Sequence, residues 1–467
     1  MSDLQSRIFV ELRDKAAFEA ARAAAFAYLD TMFDQPVAPG PDAVARLAAF
    51  DEPLPEHGMA GAELIARLHR DGSPATVATA GGRHFGLVTG AAIPAAVAAR
   101  WLGDAWDQNA VLYRLSPVAA KLESVCERWL AQAFGLPDET VLGLVSGSST
   151  AIFCGLAAGR QHLFEQQGWD INARGLNGAP PLRIVASAHA HSTVLKAVAL
   201  LGLGTSNIEW AEVDEQGRVI ADRLPVLDSS TLLILQAGNV NGGAFDPFDP
   251  ICRRAREAGA WVHVDGAFGL WAAASPRLAH LTRGMARADS WSADGHKTLN
   301  TPYGVGMVLC RRPAALAAAM QMSASYITLS DGREPMTYTP EMSRPARAVE
   351  TWAALAFLGR EGLDALVWQL HERAVQMADA LAEAGFVIAN EVAFNQLIVE
   401  VGDERTTRAM IAWLQDSGEC WVGGATWFGR PIIRVSVCSW ATTRDDIERA
   451  AAAFVAAREA VAESVTA

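Results

Sequence analysis

The fold is decided by SWSADGHKTLN (290–300) together with WVHVDGAFG (261–269) upstream of it. The upstream stretch is a β-rich run that ends in an acid, Asp265. The downstream stretch is a short run that delivers His296 and Lys297 on a turn of small residues. Because α/β folds place ligands at strand ends, the two stretches predict a binding site at one edge of a sheet.

The residue types at these strand ends suit pyridoxal 5'-phosphate (PLP). This cofactor needs a lysine to hold it as a Schiff base and a carboxylate to keep its pyridine nitrogen protonated. Lys297 and Asp265 would supply these two groups. Taken singly, an aspartate at a strand end is also an ordinary turn or cap residue, so the prediction depends on the pair.

The surrounding sequence alternates between short apolar runs and Ala-rich helical stretches. This alternation predicts an α/β fold with a mainly parallel sheet covered by helices on both faces. The predicted strands are VLGLVS (141–146), LRIVAS (182–187), TLLILQAG (231–238), WVHVD (261–265), a run into Ser292, and GVGMVLC (304–310).

The chain is expected to contain three parts that differ in secondary structure. Residues 1–83 form a helical N-terminal arm, with helical periodicity over 3–32 and a further helix near 61–70. Residues 84–345 form a large cofactor-binding domain, and residues 346–467 form a small α+β domain that begins with helices at 347–360 and 363–385. The amphipathic arm needs another surface to cover it, and a second copy of the chain would do that.

Composition and charge exclude several classes of partner. The net charge of −13 argues against nucleic acid and anionic membranes, because phosphate binding needs clustered Lys and Arg. The six cysteines are scattered without metal-ligand spacing, which favours reduced thiols in a cytoplasmic protein and no metal site. We expect neither a signal peptide nor a membrane span, since the most apolar window (141–159) is broken by hydroxyls and glycines.

Three further motifs follow predicted strands. LGLVSGSSTA (142–151) places glycine and serines before a helix, an arrangement suited to the phosphate of a cofactor, although Ser and Gly also simply cap helices. ASAHAHSTV (186–194) carries two histidines, of which one could stack on a flat cofactor ring. Asn239 in QAGNVNGGAF could bond cofactor or substrate, or could only form a turn.

The order of these motifs resembles that of the group II PLP-dependent amino-acid decarboxylases, which include the aromatic-L-amino-acid, histidine and glutamate decarboxylases. The resemblance runs from about residue 84 to the C-terminus and implies fold type I and a homodimer. It implies that Lys297 is the Schiff-base lysine, Asp265 the partner of the pyridine nitrogen and His191 the stacking histidine. It also implies cofactor contacts by Ser148, Ser149, Asn239, Ala267, Asp294 and His296.

The resemblance further concerns a tyrosine on a mobile loop that protonates the substrate carbon in aromatic decarboxylases. Tyr326, 29 residues after Lys297, matches it in spacing, and Tyr338 is the competing candidate. The chain departs from several relatives at Thr150, Asp294, Gly266 and Thr298. These departures leave the Schiff-base lysine in place.

The expected function is therefore decarboxylation of an L-amino acid to an amine and CO₂, with Lys297, Asp265, His191 and Tyr326 as catalytic residues. The segment HFGLVTGAAIP (84–94) resembles the region that lines the substrate pocket in relatives, and on that resemblance its Phe85 and Leu87 favour an aromatic or apolar substrate side chain. Arg434 could meet a carboxylate or form an ordinary ion pair. SADGHK also resembles the SADTHK of sphingosine-phosphate lyases, so a carbon–carbon lyase is an alternative. A catalytically silent PLP-binding homologue is another.

Overall fold

The computed structural model describes residues 3–321 and 332–466, with two β-sheets and flanking helices. The large sheet has seven strands: β1 (Val141–Val145), β2 (Arg183–Ser187), β3 (Ile208–Ala211), β4 (Thr231–Gln236), β5 (Trp261–Asp265), β6 (Ser290–Asp294) and β7 (Gly306–Cys310). Their order is β1-β7-β6-β5-β4-β2-β3. Neighbours are parallel except at β7, which is antiparallel to both β1 and β6. The mainly parallel α/β sheet is thus confirmed.

The α-helices of the described residues fall before, between and after these strands. They are α1 (Asp3–Asp14), α2 (Ala16–Thr31), α3 (Pro41–Ala45), α4 (Gly61–Gly72), α5 (Pro94–Trp106), α6 (Pro117–Phe134), α7 (Ser148–Gln166), α8 (Ile171–Arg174), α9 (Ser192–Leu200), α10 (Phe248–Glu257), α11 (Pro313–Met320), α12 (Ala348–Glu383), α13 (Glu404–Asp416) and α14 (Arg444–Thr466).

Both faces of the large sheet are apolar and covered, as expected for a parallel sheet. In β4, Leu232 and Ile234 face one core, which they share with residues of α7 and α9, whereas Leu233 and Leu235 face the other. Residues of α6, α10 and α12 contribute to this second core. The period-2 alternation of a strand therefore places one apolar side chain on each face in turn.

The N-terminal helical stretch is interrupted once. Lys15 has left-handed backbone angles (φ 59°) and separates α1 from α2, where the periodicity predicts a continuous helix over 3–32. Neither helix contains a buried residue. α2 packs against α4, and the ring of Phe26 stacks on that of Trp101 (6.2 Å between centres), yet large apolar side chains such as Ile8, Phe18 and Phe26 remain exposed.

The C-terminal part contains an antiparallel sheet in the order β10-β11-β9-β8, built from β8 (Val387–Ile388), β9 (Gln396–Glu400), β10 (Gly423–Trp427) and β11 (Arg430–Ser436). In α12, Gly359 (φ 60°) separates two helical segments at the place where the sequence predicts a break. Residues 83–86, at the predicted start of the large domain, hydrogen bond to this C-terminal part: the amide of Phe85 donates to the carbonyl of Trp421 (2.8 Å). Phe85 is fully buried in its core.

All six cysteines are buried as free thiols. Burial raises the pKa of each of these thiols above its ordinary value.

Within residues 3–321 and 332–466, no helix has both the length and the apolar character needed to cross a membrane.

Candidate active site

The predicted site residues converge at one edge of the large sheet. Asp265 and Asp294 are the last residues of β5 and β6, and their strands pair with Asp265 opposite Ser292. His191 and Asn239 follow β2 and β4, and the N-terminus of α7 follows β1. Because the parallel strands end together, residues from five separate segments of the sequence face the same space.

Lys297 lies beside a second carboxylate. Its Nζ is 3.0 Å from Oδ2 of Asp294, whose side chain is only 1% exposed. The same oxygen is 3.8 Å from Nε2 of His296, and Nδ1 of His296 donates to the carbonyl of Val305 at 2.8 Å. The bond to Val305 orients the imidazole. It also places a proton on Nδ1, since a ring nitrogen that contacts a carbonyl oxygen must carry one. The amine of Lys297 thus forms a salt bridge with Asp294, three residues before it in the chain.

Asp265 is a buried carboxylate with two protein donors on one oxygen. Its Oδ1 accepts from the amide of Ala267 (3.2 Å) and from Oγ of Ser292 (3.3 Å). Burial raises the pKa of Asp265, and the nearby charges of His191 and Lys297 oppose that rise. The carboxyl group is therefore oriented by β6 and responds to the other charged groups of the site.

His191 is fixed at the N-terminus of α9. Its Nδ1 lies 2.7 Å from Oγ1 of Thr193 and accepts from the amide of Thr193 at 3.2 Å. Burial lowers the pKa of His191, and the charge of Asp265 opposes that change. A neutral ring locked at Nδ1 is suited to present its flat face to a cofactor.

The serines of the predicted phosphate loop begin α7. Ser148 is buried and Ser149 is exposed, and both contribute free backbone N–H groups at the start of a 19-residue helix. A Cβ added at Gly147 would lie 3.4 Å from Cε1 of His296 and 3.8 Å from Oδ1 of Asp294. The helix N-terminus therefore opens towards His296, as an anion cradle beside the lysine requires.

Unpartnered buried atoms at this edge test whether PLP fits. Nδ2 of Asn239, Oδ1 of Asp294 and Nδ1 of His189 are buried without a hydrogen-bond partner among the described residues. Buried polar atoms are normally paired, so these atoms mark a place where a polar ligand completes the structure. Together with the amine, the carboxylate and the helix N-terminus, they fit a phosphorylated pyridine aldehyde.

The two tyrosine candidates differ in what the structure says of them. Tyr326 lies outside the described residues. Tyr338 packs over the guanidinium of Arg333 (5.2 Å to the ring centre), and Arg333 bonds the carbonyl of Leu142 near the start of β1. Tyr338 is thus engaged near the start of β1, whereas Lys297 follows the end of β6.

Three nearby residues have no place in the sequence-based prediction. Ser292 donates to Asp265, the ring of Tyr303 lies 4.9 Å from that of His296, and Gly90 packs directly on the backbone carbonyl of Lys297. Ser292 has a recognisable signal, because Ser290, Ser292 and Asp294 alternate along β6 and so share a face. The other two depend on loop conformations that the sequence does not display.

No group of three or more His, Cys, Asp or Glu side chains in the described parts of the chain is arranged to hold a metal ion.

Comparisons with known proteins agree with this geometry. A family model described as the pyridoxal-dependent decarboxylase conserved domain matches residues 74–399. The acidic amino acid decarboxylase GADL1 of Mus musculus is 27% identical over 288 residues, which are 57% of this chain and 50% of that protein. The aspartate 1-decarboxylase of Aliivibrio fischeri is 27% identical over 289 residues, 58% of this chain and 52% of that protein. The chain thus spans about half the length of the curated relatives it matches.

The fold is also that of a solved structure. The crystal structure of mouse CSAD superposes with a TM-score of 0.86 at 20% identity, covering 96% of this chain and 98% of that one. At this identity the likeness concerns the fold. Because the family model covers well over half of its length, the chain belongs to the pyridoxal-dependent decarboxylase family, and pyridoxal phosphate is its cofactor.

Proposed function

We propose that this protein decarboxylates an L-amino acid to the corresponding amine and CO₂. The observation that carries the proposal is the placement of Lys297 and the buried Asp265 at the ends of two neighbouring strands, with an anion-binding helix N-terminus beside them. When bound, the cofactor supplies an electron sink for the electron pair left on the substrate carbon by the departing carboxylate.

The side chains of this chain would perform the remaining tasks. Lys297 would hold the cofactor aldehyde, and Asp294, 3.0 Å away, would orient the amine whenever a substrate releases it. Asp265, fixed by Ser292 and Ala267, would hold the proton on the pyridine nitrogen. His191 would pack against the ring, with its Nδ1 already engaged by Thr193.

The proton that completes the reaction is assigned to Tyr326 in this proposal. Its spacing of 29 residues from Lys297 supports the assignment. The packing of Tyr338 against Arg333 adds support, because it engages the ring of the competing candidate in a contact within the chain. Tyr326→Phe should therefore lower turnover and leave cofactor binding unchanged, whereas Tyr338→Phe should leave both unchanged.

Two kinds of substrate side chain are candidates: an apolar or aromatic one and an acidic one. An aromatic or apolar side chain was expected from Phe85 and Leu87. Phe85 is fully buried in the core of the C-terminal part and so cannot contact a substrate, whereas Leu87 is 67% exposed. Leu87 and Val88 both have positive φ (55° and 57°), a conformation that non-glycine residues adopt only under constraint. Leu87 is therefore the residue that supports an apolar substrate.

Arg434 favours an acidic substrate as the second candidate. Its Nη1 donates to the carbonyl of Val240 (3.2 Å), beside Asn239, and its charge influences His191. Burial lowers the pKa of Arg434, and its one side-chain hydrogen bond among the described residues is to a backbone carbonyl, with no acid in ion-pair range. A largely buried guanidinium without a carboxylate partner is suited to binding one from a ligand. The curated relatives named for acidic substrates are consistent with this candidate.

We also propose that the protein is a cytoplasmic homodimer. The exposed large apolar side chains of α1 and α2 support a second copy as their partner, since large exposed apolar patches mark interaction sites. Six buried, unpaired thiols support a reducing compartment. Light scattering after gel filtration should give twice the chain mass, and a variant lacking residues 3–14 should give a weaker dimer.

The function is tested with PLP-loaded protein and a pool of L-amino acids, with products followed by mass spectrometry. An amine lighter than its parent by one CO₂ is the expected product. Lys297→Ala should lose both the product and the absorbance of lysine-bound cofactor, and full turnover in that variant would refute the assignment. An aldehyde formed by carbon–carbon cleavage would favour a lyase, and absence of any product would favour a silent homologue.

A matched pair of variants separates the substrate candidates. Arg434→Gln should lower kcat/KM for an acidic amino acid by about 100-fold, the effect of about 3 kcal/mol from a lost charge-assisted pair. It should change kcat/KM for an aromatic amino acid by less than about threefold. If the substrate side chain is apolar, Leu87→Ala should lower kcat/KM for an aromatic amino acid and leave kcat/KM for an acidic amino acid nearly unchanged.

A further inference from the structure

A basic cavity lies at the edge of the large sheet opposite Lys297. It has a volume of about 110 Å³ and is bounded by the end of α7, by α10, by the start of β5 and by residues flanking β6 and β7. A single water needs only about 10–15 Å³, so there is room for a larger group. Its charged lining residues are Arg256, Arg287, Arg311, Arg312 and Asp289, with His162 beside them. Four guanidinium groups thus face one carboxylate in a chain whose net charge is −13.

The one lining acid is already fully engaged. Oδ1 of Asp289 accepts from Nε of Arg312 at 2.8 Å, and Oδ2 accepts from the amide of Val262 at 3.0 Å. Asp289 is 6% exposed, so it acts mainly as the link between β5 and β6. Of the other three arginines, Arg287 pairs with Asp249 and Arg311 with Glu139, which leaves Arg256 without an acid partner among the described residues.

The guanidinium groups retain unused donors. Arg287 bonds Asp249 through Nη1, and Arg311 has one long ion pair to Glu139 (3.6 Å). The side chain of Arg256 has no hydrogen bond or ion pair to any described residue, and of the guanidinium nitrogens of Arg312 only Nε is engaged by an acid. The positive charge of Arg256 adds to those of the paired arginines, and an anion bound between them would lower their mutual repulsion. Forked N–H donors from several arginines match the oxygens of a phosphate group.

The cavity is separate from the cofactor site. Trp261 lines the cavity at the first residue of β5, and Asp265 is the last residue of the same strand. Five strand residues span about 13 Å from the first Cα to the last. His162 near the end of α7 lines the cavity, whereas Ser148 begins that helix at the phosphate loop. A ligand in the cavity would therefore leave the cofactor phosphate undisturbed.

We propose that this cavity is a second anion site, which binds a phosphate-type oxyanion such as free pyrophosphate or the diphosphate of a nucleotide. Arg256 supplies the unpaired guanidinium that contacts the anion first, and Arg312 and Arg311 complete the donor set. The ring of Trp261 is 1% exposed and so offers no surface for a base to stack on. Recognition is confined to the phosphate groups.

The test is isothermal titration of PLP-loaded protein with pyrophosphate at low ionic strength. Borohydride reduction first fixes the cofactor to Lys297, so that the loop at α7 stays filled. We expect one site per chain, with binding that weakens as salt is added. Arg256→Gln should weaken binding about tenfold or more, the effect of about 1.4 kcal/mol or more from a lost charge-assisted bond. ADP binding as tightly as pyrophosphate would identify a nucleotide as an equally suitable source of the anion.

The matched control is Arg405→Gln, which removes the same charge from an exposed position on α13, far along the chain from the cavity residues. It should change affinity by less than about twofold. Equal affinities of Arg256→Gln and Arg405→Gln, or absence of saturable binding by the reduced protein, would overturn the proposal. Arg256 is exposed, so its substitution should leave the fold and the cofactor absorbance intact. The site does not depend on decarboxylation, and either result leaves that proposal untouched.

Discussion

Glu123 on α6 forms ion pairs with two arginines of the segment after residue 331, so its substitution tests how much these pairs stabilise the fold. Its Oε1 accepts from Nη2 of Arg344, and its Oε2 lies 3.4 Å from Nε of Arg333. The side chains of Glu123 and Arg344 are 1% and 0% exposed. Both arginines follow closely on residues 322–331, the range that contains Tyr326. The perturbation is Glu123→Gln, which keeps the shape and removes the charge.

The expected loss of stability is about 3 kcal/mol. Breaking a buried ion pair by removing one partner costs about 3–5 kcal/mol, because the remaining charge is left buried without compensation. The lower end applies here, since the Gln oxygen can still accept from Arg344 and the carbonyl of Leu144 still accepts from Nη1 of Arg344 at 2.8 Å. Glu127→Gln is the matched control: Glu127 also pairs with Arg333 but is 20% exposed, so we expect about 1 kcal/mol.

The assay is urea unfolding of PLP-loaded wild type and variants, compared by transition midpoints because a chain of this size need not unfold in two states. A loss for Glu123→Gln no larger than that for Glu127→Gln would refute the reasoning. The double variant Glu123→Gln/Arg344→Met also removes the unpaired charge of Arg344, so it should recover part of the lost stability. A double variant that is less stable than the single one would contradict the charge argument.

Three further predictions concern the site and its supports. Ser292→Ala should weaken cofactor binding and turnover about tenfold by removing a donor to Asp265, and Ser292→Thr should restore both; cofactor titration by absorbance checks this. Gly90→Ala should abolish lysine-bound cofactor, since its Cβ would overlap the carbonyl of Lys297, whereas Gly40→Ala, with nothing within 4 Å, should not. Burial raises the pKa of Asp246 from 3.8 to about 7, so the folded state binds the proton more tightly and its stability should fall as pH rises from about 4 through about 7. Asp246→Asn should flatten that slope in urea titrations at several pH values.

Much of the fold follows from the sequence because the strands are buried on both faces. A run such as TLLILQ must be apolar on successive residues when it lies inside a covered parallel sheet, and this makes it recognisable. β3 is missed because it has four residues at a sheet edge, with Trp210 45% exposed. The direction of β7 follows from its connection: residues 295–305 are too few for the crossover that a parallel neighbour needs.

The candidate site was predictable where residue type and strand end coincide. Asp265 and Lys297 satisfy both conditions: Asp265 is the last residue of β5, and Lys297 lies three residues after the end of β6. Their roles toward the cofactor stay predictions. Ser292 depends on the register that sets it opposite Asp265, and Tyr303 depends on the path of the loop after Lys297. Phe85 shows the opposite case: the resemblance of segment 84–94 to a pocket-lining region suggests the pocket, whereas pairing with Trp421 carries its ring into another core.

Because all six cysteines are buried, the rate at which their thiols react reports how fast the folded protein unfolds locally. A maleimide or disulfide reagent should modify the native protein only as fast as each region unfolds, because none of the thiols is accessible in the folded chain. Cys438 belongs to the core that Phe268 and Leu299 line, and Cys420 belongs to the core of the C-terminal part. Mapping which thiol reacts first, by peptide mass, would rank the two cores in order of opening. A single cysteine introduced on the surface would in turn accept a fluorophore without any need to remove the native six.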